Sequence, residues 1–176
     1  MRNIFLTFCP FFPLSGVFCC AILPYKEKKG ATNLATVYDV ARYILEQKGE
    51  MSSLKLQKLC YYCQAWHYTW THKPLFDEKI EAWKNGPVCP ALYANHAHQY
   101  TVKPQDIWGH PELLTDDERD SVDVVVSAYG DMQPYELREQ THQEDPWIDA
   151  RKGIREDDNS HNEITLEAMG KYYAER

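Results

Sequence analysis

The chain has no glycine-rich phosphate loop, and no Ser or Cys stands in a recognisable nucleophile elbow. Those absences remove the commonest arrangements for nucleotide binding and acyl transfer. No helix-turn-helix reader can be recognised either, so sequence-specific DNA binding has no obvious carrier. Positive charge is scarce: 19 Lys and Arg stand against 26 Asp and Glu, a formal net charge of −7. A surface of that sign repels a phosphate backbone unless its few cations gather in one place. Internal repeats, low-complexity tracts and long linkers are also missing. What is abundant is aromatic mass, with 5 Trp and 12 Tyr. Such side chains fill cores and anchor protein interfaces. A length of 176 residues suits one domain with a real core.

The first thirty-four residues differ from the rest. Ile4 to Leu23 is almost wholly apolar and follows Arg2. A secretory signal would want an Ala-x-Ala-like site after it, and none follows. A membrane anchor of about 20 apolar residues would be interrupted by Pro10 and Pro13. A lipoprotein signal would want a small residue where Phe18 precedes Cys19. The reading adopted is that residues 1–34 are an apolar extension created by a start site placed too far upstream, with the working domain at 35–176. Removing Arg2, Lys26, Lys28, Lys29 and Glu27 leaves 15 basic against 25 acidic residues, a net −10. No membrane association is expected of that domain.

Helical signals dominate from Thr36 onward. Thr36 and Asp39 have capping-box spacing, and Val37, Val40, Ala41, Ile44 and Leu45 make one apolar face up to Lys48 and Gly49. A second helix follows Ser52 or Ser53. Leu56, Leu59, Cys60, Cys63, His67 and Trp70 share its face, while Lys55, Lys58 and Tyr62 point elsewhere. It is the most apolar helix and is expected at the centre. The segment 73–83 alternates and reads as a short hairpin turning at Asp77-Glu78. Asn85-Gly86-Pro87 demands a turn. Further helices are expected from Pro90 to about Tyr100, from the capping box Thr115-Asp-Asp-Glu118 to Gly130, from Pro134 to Gln140, from Asp145-Pro146 to Arg151, and around Leu166, Met169 and Tyr173. The fold class is therefore mainly α: a compact single domain of five to seven helices with a short β-hairpin near residues 73–83.

Four groups of residues invite chemistry. Cys60-x-x-Cys63 has metal-ligand spacing but no second pair to complete a site, and with Cys89 it stands where apolar residues would serve. Core packing by reduced cysteines, in a cytoplasmic protein, is the expectation. His96 and His98 point to different faces if helical and are expected at the surface. Lys55 and Lys58 lie one turn apart, a small solvated basic strip or an electrostatic contact for a partner. Thr141-His142 followed by Asp145-Pro-Trp147 is the densest group. Acid–base work is one reading of it. The other has Thr141 and His142 fixing a turn while Trp147 plugs the core or an interface.

Leu54-Lys-Leu-Gln-Lys-Leu59-Cys-Tyr-Tyr62 with Gln64-Ala-Trp66-His67 resembles the core of the Panacea domain, found in SocA-like antitoxins and phage-associated GepA-type proteins. Lys73-Pro-Leu-Phe76, Ile80-Glu-Ala-Trp83 and Gly86-Pro87-Val88 are similar to its "PLF", "IEAW" and "GPV" blocks. Leu137, Thr141-His142, Pro146-Trp147 and Arg151 resemble its "L", "TH", "PW" and "AR" positions. Ala35-Thr-Val-Tyr-Asp-Val-Ala is similar to its opening, which puts Leu34 where a starting Met would be expected. The resemblance runs from about Ala35 to Tyr173. Cys60, Cys63 and Cys89 depart from it, standing where small or aliphatic residues are usual.

The resemblance implies a non-enzymatic antitoxin that binds and neutralises a cognate protein toxin encoded beside it, without a cofactor or metal. A rival on the same fold is a proteolytic adaptor that delivers the toxin to an AAA+ protease. A rival of another class is a metal-dependent or acid–base enzyme using the Thr141-His142 region. Lys55, Lys58, Tyr62, Trp83, Gly86, Pro87, Thr141, His142, Trp147 and Arg151 are the candidate partner-binding residues. No nucleic acid is expected as a partner, and the oligomeric state is open.

Overall fold

In the computed structural model the described residues are 34–176. The apolar stretch, and the reading of it as an artefact, lie outside that range apart from Leu34. Among the described residues no helix is long and apolar enough to cross a membrane.

Helix α1 spans Val37–Lys48 and is closed at its start by the expected box, with Thr36 Oγ1 accepting from the Asp39 N–H and Asp39 accepting from the Thr36 N–H. Its five apolar positions are all buried. A two-residue strand, β1 (Met51–Ser52), precedes α2 (Ser53–Thr71), which Ser52 caps. Helix α2 is the centre of the domain: α1, α4, α5, α7 and the hairpin all pack on it. The expectation of one apolar face fails here. Lys58 and Tyr62, placed on the solvent side by the periodicity, are fully buried, and Trp70, placed on the core side, is 46% exposed. A helix surrounded on every side has no outer face on which to keep its polar residues.

The hairpin lies further along the chain than expected. Strands β2 (Glu81–Trp83) and β3 (Gly86–Val88) pair antiparallel, Trp83 opposite Gly86, with the turn at Lys84-Asn85 rather than at Asp77-Glu78. Residues 75–76 form no hairpin: Phe76 makes a single parallel bridge to Ala35, and Gln64 of α2 takes hydrogen bonds of both residues. Its Oε1 accepts from the Leu75 and Phe76 N–H groups and its Nε2 donates to the Phe76 carbonyl at 2.7 Å. Residues 162–164 run along β2, with the Ala82 N–H donating to the Asn162 carbonyl and the Ile164 N–H to the Ile80 carbonyl.

Helix α3 is shorter than predicted, Pro90–Asn95. It stops where His96 turns inward onto Gln57 of α2, ring nitrogen to amide nitrogen at 3.0 Å. His96 is thus buried, against the expectation of a surface histidine. Strand β4 (Thr101–Val102) returns to pair with β1. After two short 3₁₀ turns come α4 (Asp116–Tyr129), α5 (Pro134–His142), α6 (Asp145–Ala150) and α7 (Leu166–Tyr173). The Thr115–Glu118 capping box opens α4 as its spacing predicts. The result is mainly helical, seven helices with two small antiparallel strand pairs among the described residues.

Candidate functional site

The hairpin is clasped by three side chains that reach its carbonyls from α2 and from α6 with its C-cap. Lys58 of α2 donates from Nζ to the Pro87 carbonyl at 3.0 Å. Trp147 of α6 donates from Nε1 to the Trp83 carbonyl at 2.9 Å. Arg151, just past α6, donates from Nη1 to the Ala82 carbonyl at 2.9 Å. The other end of the Arg151 guanidinium gathers the carbonyls of Arg155, Glu156 and Asp158, which gives the polar loop after α6 a fixed path. The planar fork suits this role, since one side chain satisfies backbone acceptors on two sides.

Gly86 lets the clasp close. Its φ of +95° is open to glycine, and a Cβ there would lie 2.6 Å from Lys58 Cε and 2.8 Å from Thr141 Oγ1. Pro87, next to it, presents the carbonyl that Lys58 needs. Thr141 is fully buried and its hydroxyl donates back to the Arg138 carbonyl at 2.8 Å, a bond within α5. His142 stacks on Trp147 with ring centroids 3.9 Å apart, and the Arg151 guanidinium lies over the Trp147 ring, 5.1 Å from its centroid.

The electrostatics are those of an interior. Lys58 is wholly buried, which pushes its amine down to about 7, and the Arg138 charge pushes the same way. Burial, then Arg138 and Lys58, push His142 down to about 4. Its Nε2 is sealed from solvent and has no hydrogen-bond partner among the described residues. A histidine so placed is a neutral ring in a stack. Of the two acids that follow it, Glu144 is buried and accepts from Tyr62 and Tyr173, and Asp145 is exposed.

Tyr62 belongs to a second buried cluster. Its hydroxyl donates to Glu144 at 3.2 Å, and Tyr173 donates to the same carboxylate at 2.7 Å. The Tyr62 ring stacks on Tyr129 at 4.3 Å, whose hydroxyl accepts from Trp66 Nε1. Burial raises the Glu144 carboxyl, while the bonds from Tyr173 and Tyr62 pull it back. Lys55 stands apart from both clusters, half-buried, with Asp131 and Lys48 as its charged neighbours.

The structure therefore brings Lys58, Trp83, Gly86, Pro87, Thr141, His142, Trp147 and Arg151 together around one hairpin, and leaves Lys55 and Tyr62 outside it. The solvated strip of Lys55 and Lys58 does not exist, because Lys58 is inside. Trp83 is half-buried, its indole donating to Glu81 and its ring edge-on to Tyr93. Sequence reasoning passed over Glu144, Arg138 and Gln57. Glu144 sits directly before the Asp145-Pro-Trp motif that did draw notice, and a carboxylate two residues ahead of a proline-opened helix is a signal available to a reader. Cys60, Cys63 and Cys89 are buried thiols whose ionisation burial opposes, as core packing requires. Among the described residues no group of three or more His, Cys, Asp or Glu is placed to hold a metal ion.

A family model described as "Antitoxin SocA-like, Panacea domain" matches residues 56–148. That span runs from the central helix α2 to the middle of α6, and so contains all but one arm of the clasp. Neither the curated proteins nor the solved structures include a match.

Proposed function

The chain belongs to the SocA-like antitoxin family that carries the Panacea domain, and from that premise we propose that it neutralises a protein toxin encoded next to it by binding the toxin directly in the cytoplasm. The family match carries this reading. The geometry supports it by what the clasp residues are already doing. Lys58, Trp147 and Arg151 spend their donors on backbone carbonyls, and Thr141 on its own helix. A catalytic group needs a free proton-transfer path to a reacting atom. His142 is stacked on Trp147, neutral at physiological pH and sealed at Nε2. Among the candidate residues, the buried ones of the clasp serve binding by holding the hairpin in shape, and partly exposed Trp83, Lys55 and His142 have surface to offer.

The test is a growth assay. The adjacent reading frame is expressed in a bacterial host with and without this chain. Rescue of growth, with the two proteins co-purifying and the toxin level unchanged, is the expected result. Rescue accompanied by loss of the toxin, abolished when the host's AAA+ proteases are deleted, would replace sequestration with delivery to a protease. An adjacent product that is toxic and stays toxic would overturn the antitoxin reading.

A further inference from the structure

The largest apolar side chains left in water are not at the clasp. Trp108 is 87% exposed and Leu113 is 65% exposed, both in the segment that links β4 to α4. An exposed tryptophan on a loose loop would signify little. This loop is fixed. Arg42 of α1 donates to the Pro104 carbonyl at 2.7 Å and to that of Ile107 at 3.3 Å. The His110 N–H donates to Asp39 at 2.6 Å, the same aspartate that closes the α1 capping box. Gly109 lies so close to the Tyr38 carbonyl that no Cβ fits between them. Arg119 of α4 holds the loop from the other side through the Pro111 and Glu112 carbonyls. Between α1 and the loop is an open cleft of about 460 Å³, lined by Arg42, Tyr43, Glu46 and residues 109–112. Trp108 and Leu113 flank the loop's share of that lining.

The surface beside the cleft is acidic. Asp116, Asp120 and Asp123 follow Leu113 at helical spacing along α4, and all three are exposed. The start of a helix welcomes Asp116 through its dipole, but that effect fades within the first turn and does not account for Asp120; Asp123 accepts from Gln47 Nε2 at 2.6 Å, a neutral donor that leaves its charge in place. The cations at the cleft leave this charge uncovered: Arg42 is committed to Glu46 and two carbonyls, and Arg119 to two carbonyls. A phosphate backbone is repelled by such a face, and a second copy would set acid against acid. A rigidly held tryptophan beside uncompensated carboxylates fits a basic protein surface with an apolar recess, where tryptophan anchors carry most of the binding energy.

We propose that the cleft between α1 and residues 103–114, with Trp108 and Leu113 next in the chain to the residues that line it and the acidic face of α4 beside it, is the docking surface for a basic protein partner, namely the toxin. This rests on the antitoxin reading and adds where the toxin sits and what its contacting face is made of. The test uses the full chain and the toxic product of the adjacent reading frame. Hydrogen exchange of the complex is expected to show protection over residues 103–114 and the first half of α4. Trp108→Ser with Leu113→Ser is expected to weaken binding roughly 30-fold or more, Asp120→Lys with Asp123→Lys to slow association in a salt-dependent way, and Tyr135→Ser, equally exposed on α5, to change nothing. Protection confined to the hairpin, or full affinity in the Trp108/Leu113 variant, overturns this surface while the antitoxin reading stands on the wild-type chain's binding. A wild-type chain that does not bind the toxin overturns both.

Discussion

Two regions of this molecule invert the usual arrangement in opposite senses. At the clasp, a lysine and an arginine are buried, the arginine over the Trp147 ring. On the loop at 103–114, a tryptophan and a leucine stand in water. Both run against the ordinary preference for apolar interiors and polar surfaces, yet they answer to different causes. The cations of the clasp are inside because two hairpin carbonyls, those of Pro87 and Ala82, take their donors from them. Nothing within the described residues asks for Trp108 to be outside. A residue that pays its way inside the fold explains itself by stability; one that does not is explained by something the fold meets.

The sharpest way to break that contrast is to remove Arg151. Arg151→Ala leaves the carbonyls of Ala82, Arg155, Glu156 and Asp158 without their donor. Stranded buried acceptors cost about 1–3 kcal/mol each where water cannot reach them, so a total loss on the order of 3–5 kcal/mol is expected, allowing for carbonyls that find solvent. Urea unfolding measures it. Unchanged stability would mean that the clasp does not hold the hairpin.

Lys58 sharpens the contrast through pH. Its folded amine sits near 7 while the unfolded lysine titrates near its ordinary 10.5. Between those values the unfolded chain holds a proton that the folded chain has lost, so stability rises with pH from about 7 toward 10. The limiting slope is about 1.4 kcal/mol per pH unit. Lys58→Met keeps the volume, loses one hydrogen bond and removes that slope. Stability profiles of the two proteins between pH 6 and 10 are expected to separate at the acid end, where the wild type must bury or discharge its amine and the variant is the more stable, and to converge toward the alkaline end as the wild type gains. Parallel profiles would show that the amine is not buried as described.

A smaller effect is expected at His142. Burial holds its folded value near 4, below the 6.5 of an unfolded histidine. Stability from this residue is therefore complete above about 6.5 and is lost as pH falls toward 4. His142→Phe preserves the stack on Trp147 and removes the unpartnered Nε2. The variant is expected to match or exceed the wild type at neutral pH and to keep more of its stability at pH 5. Thermal melts at pH 5 and 7.5 decide it. A variant that is weaker at both would mean that the ring makes a polar contact through another atom.

Helix positions were legible in the sequence where caps and turns carry local chemistry. Thr36 with Asp39 and Thr115 with Glu118 open α1 and α4 as their spacing requires. Which residues gather at the clasp was legible too, since Lys58, Gly86, Pro87, Thr141, His142, Trp147 and Arg151 all stand in the blocks that resemble the Panacea domain. Their burial was not. Helical periodicity assigns sides relative to a single apolar face, and α2 is covered on all of them by α1, α4, α5, α7 and the hairpin. The hairpin's place was misjudged for a related reason: Gln64, distant in sequence reasoning from 75–76, takes the hydrogen bonds a local strand would have used. Trp108 and Trp147 show the same limit in reverse. Each is a tryptophan near a proline in a loop-rich stretch, and only the tertiary structure puts one against Trp83 and the other in solvent.

The smallest expected effect on stability is therefore at Trp108, and it is the most informative. Trp108→Ser removes a side chain that is 87% exposed and buries little against its own fold. Substitutions at such positions change stability by about 0.5 kcal/mol or less, so denaturant midpoints of variant and wild type should coincide. The same is expected for Leu113→Ser, although the loop beneath both is held by Arg42, Asp39 and Arg119. A clear destabilisation would show that Trp108 packs on the loop that carries it, and would return it to the class of residues explained by the fold. Coincident midpoints leave its exposure without an internal cause. The clasp variants lose stability before function can be asked about; Trp108→Ser keeps stability, so any loss of toxin neutralisation in it has to be read as loss of contact.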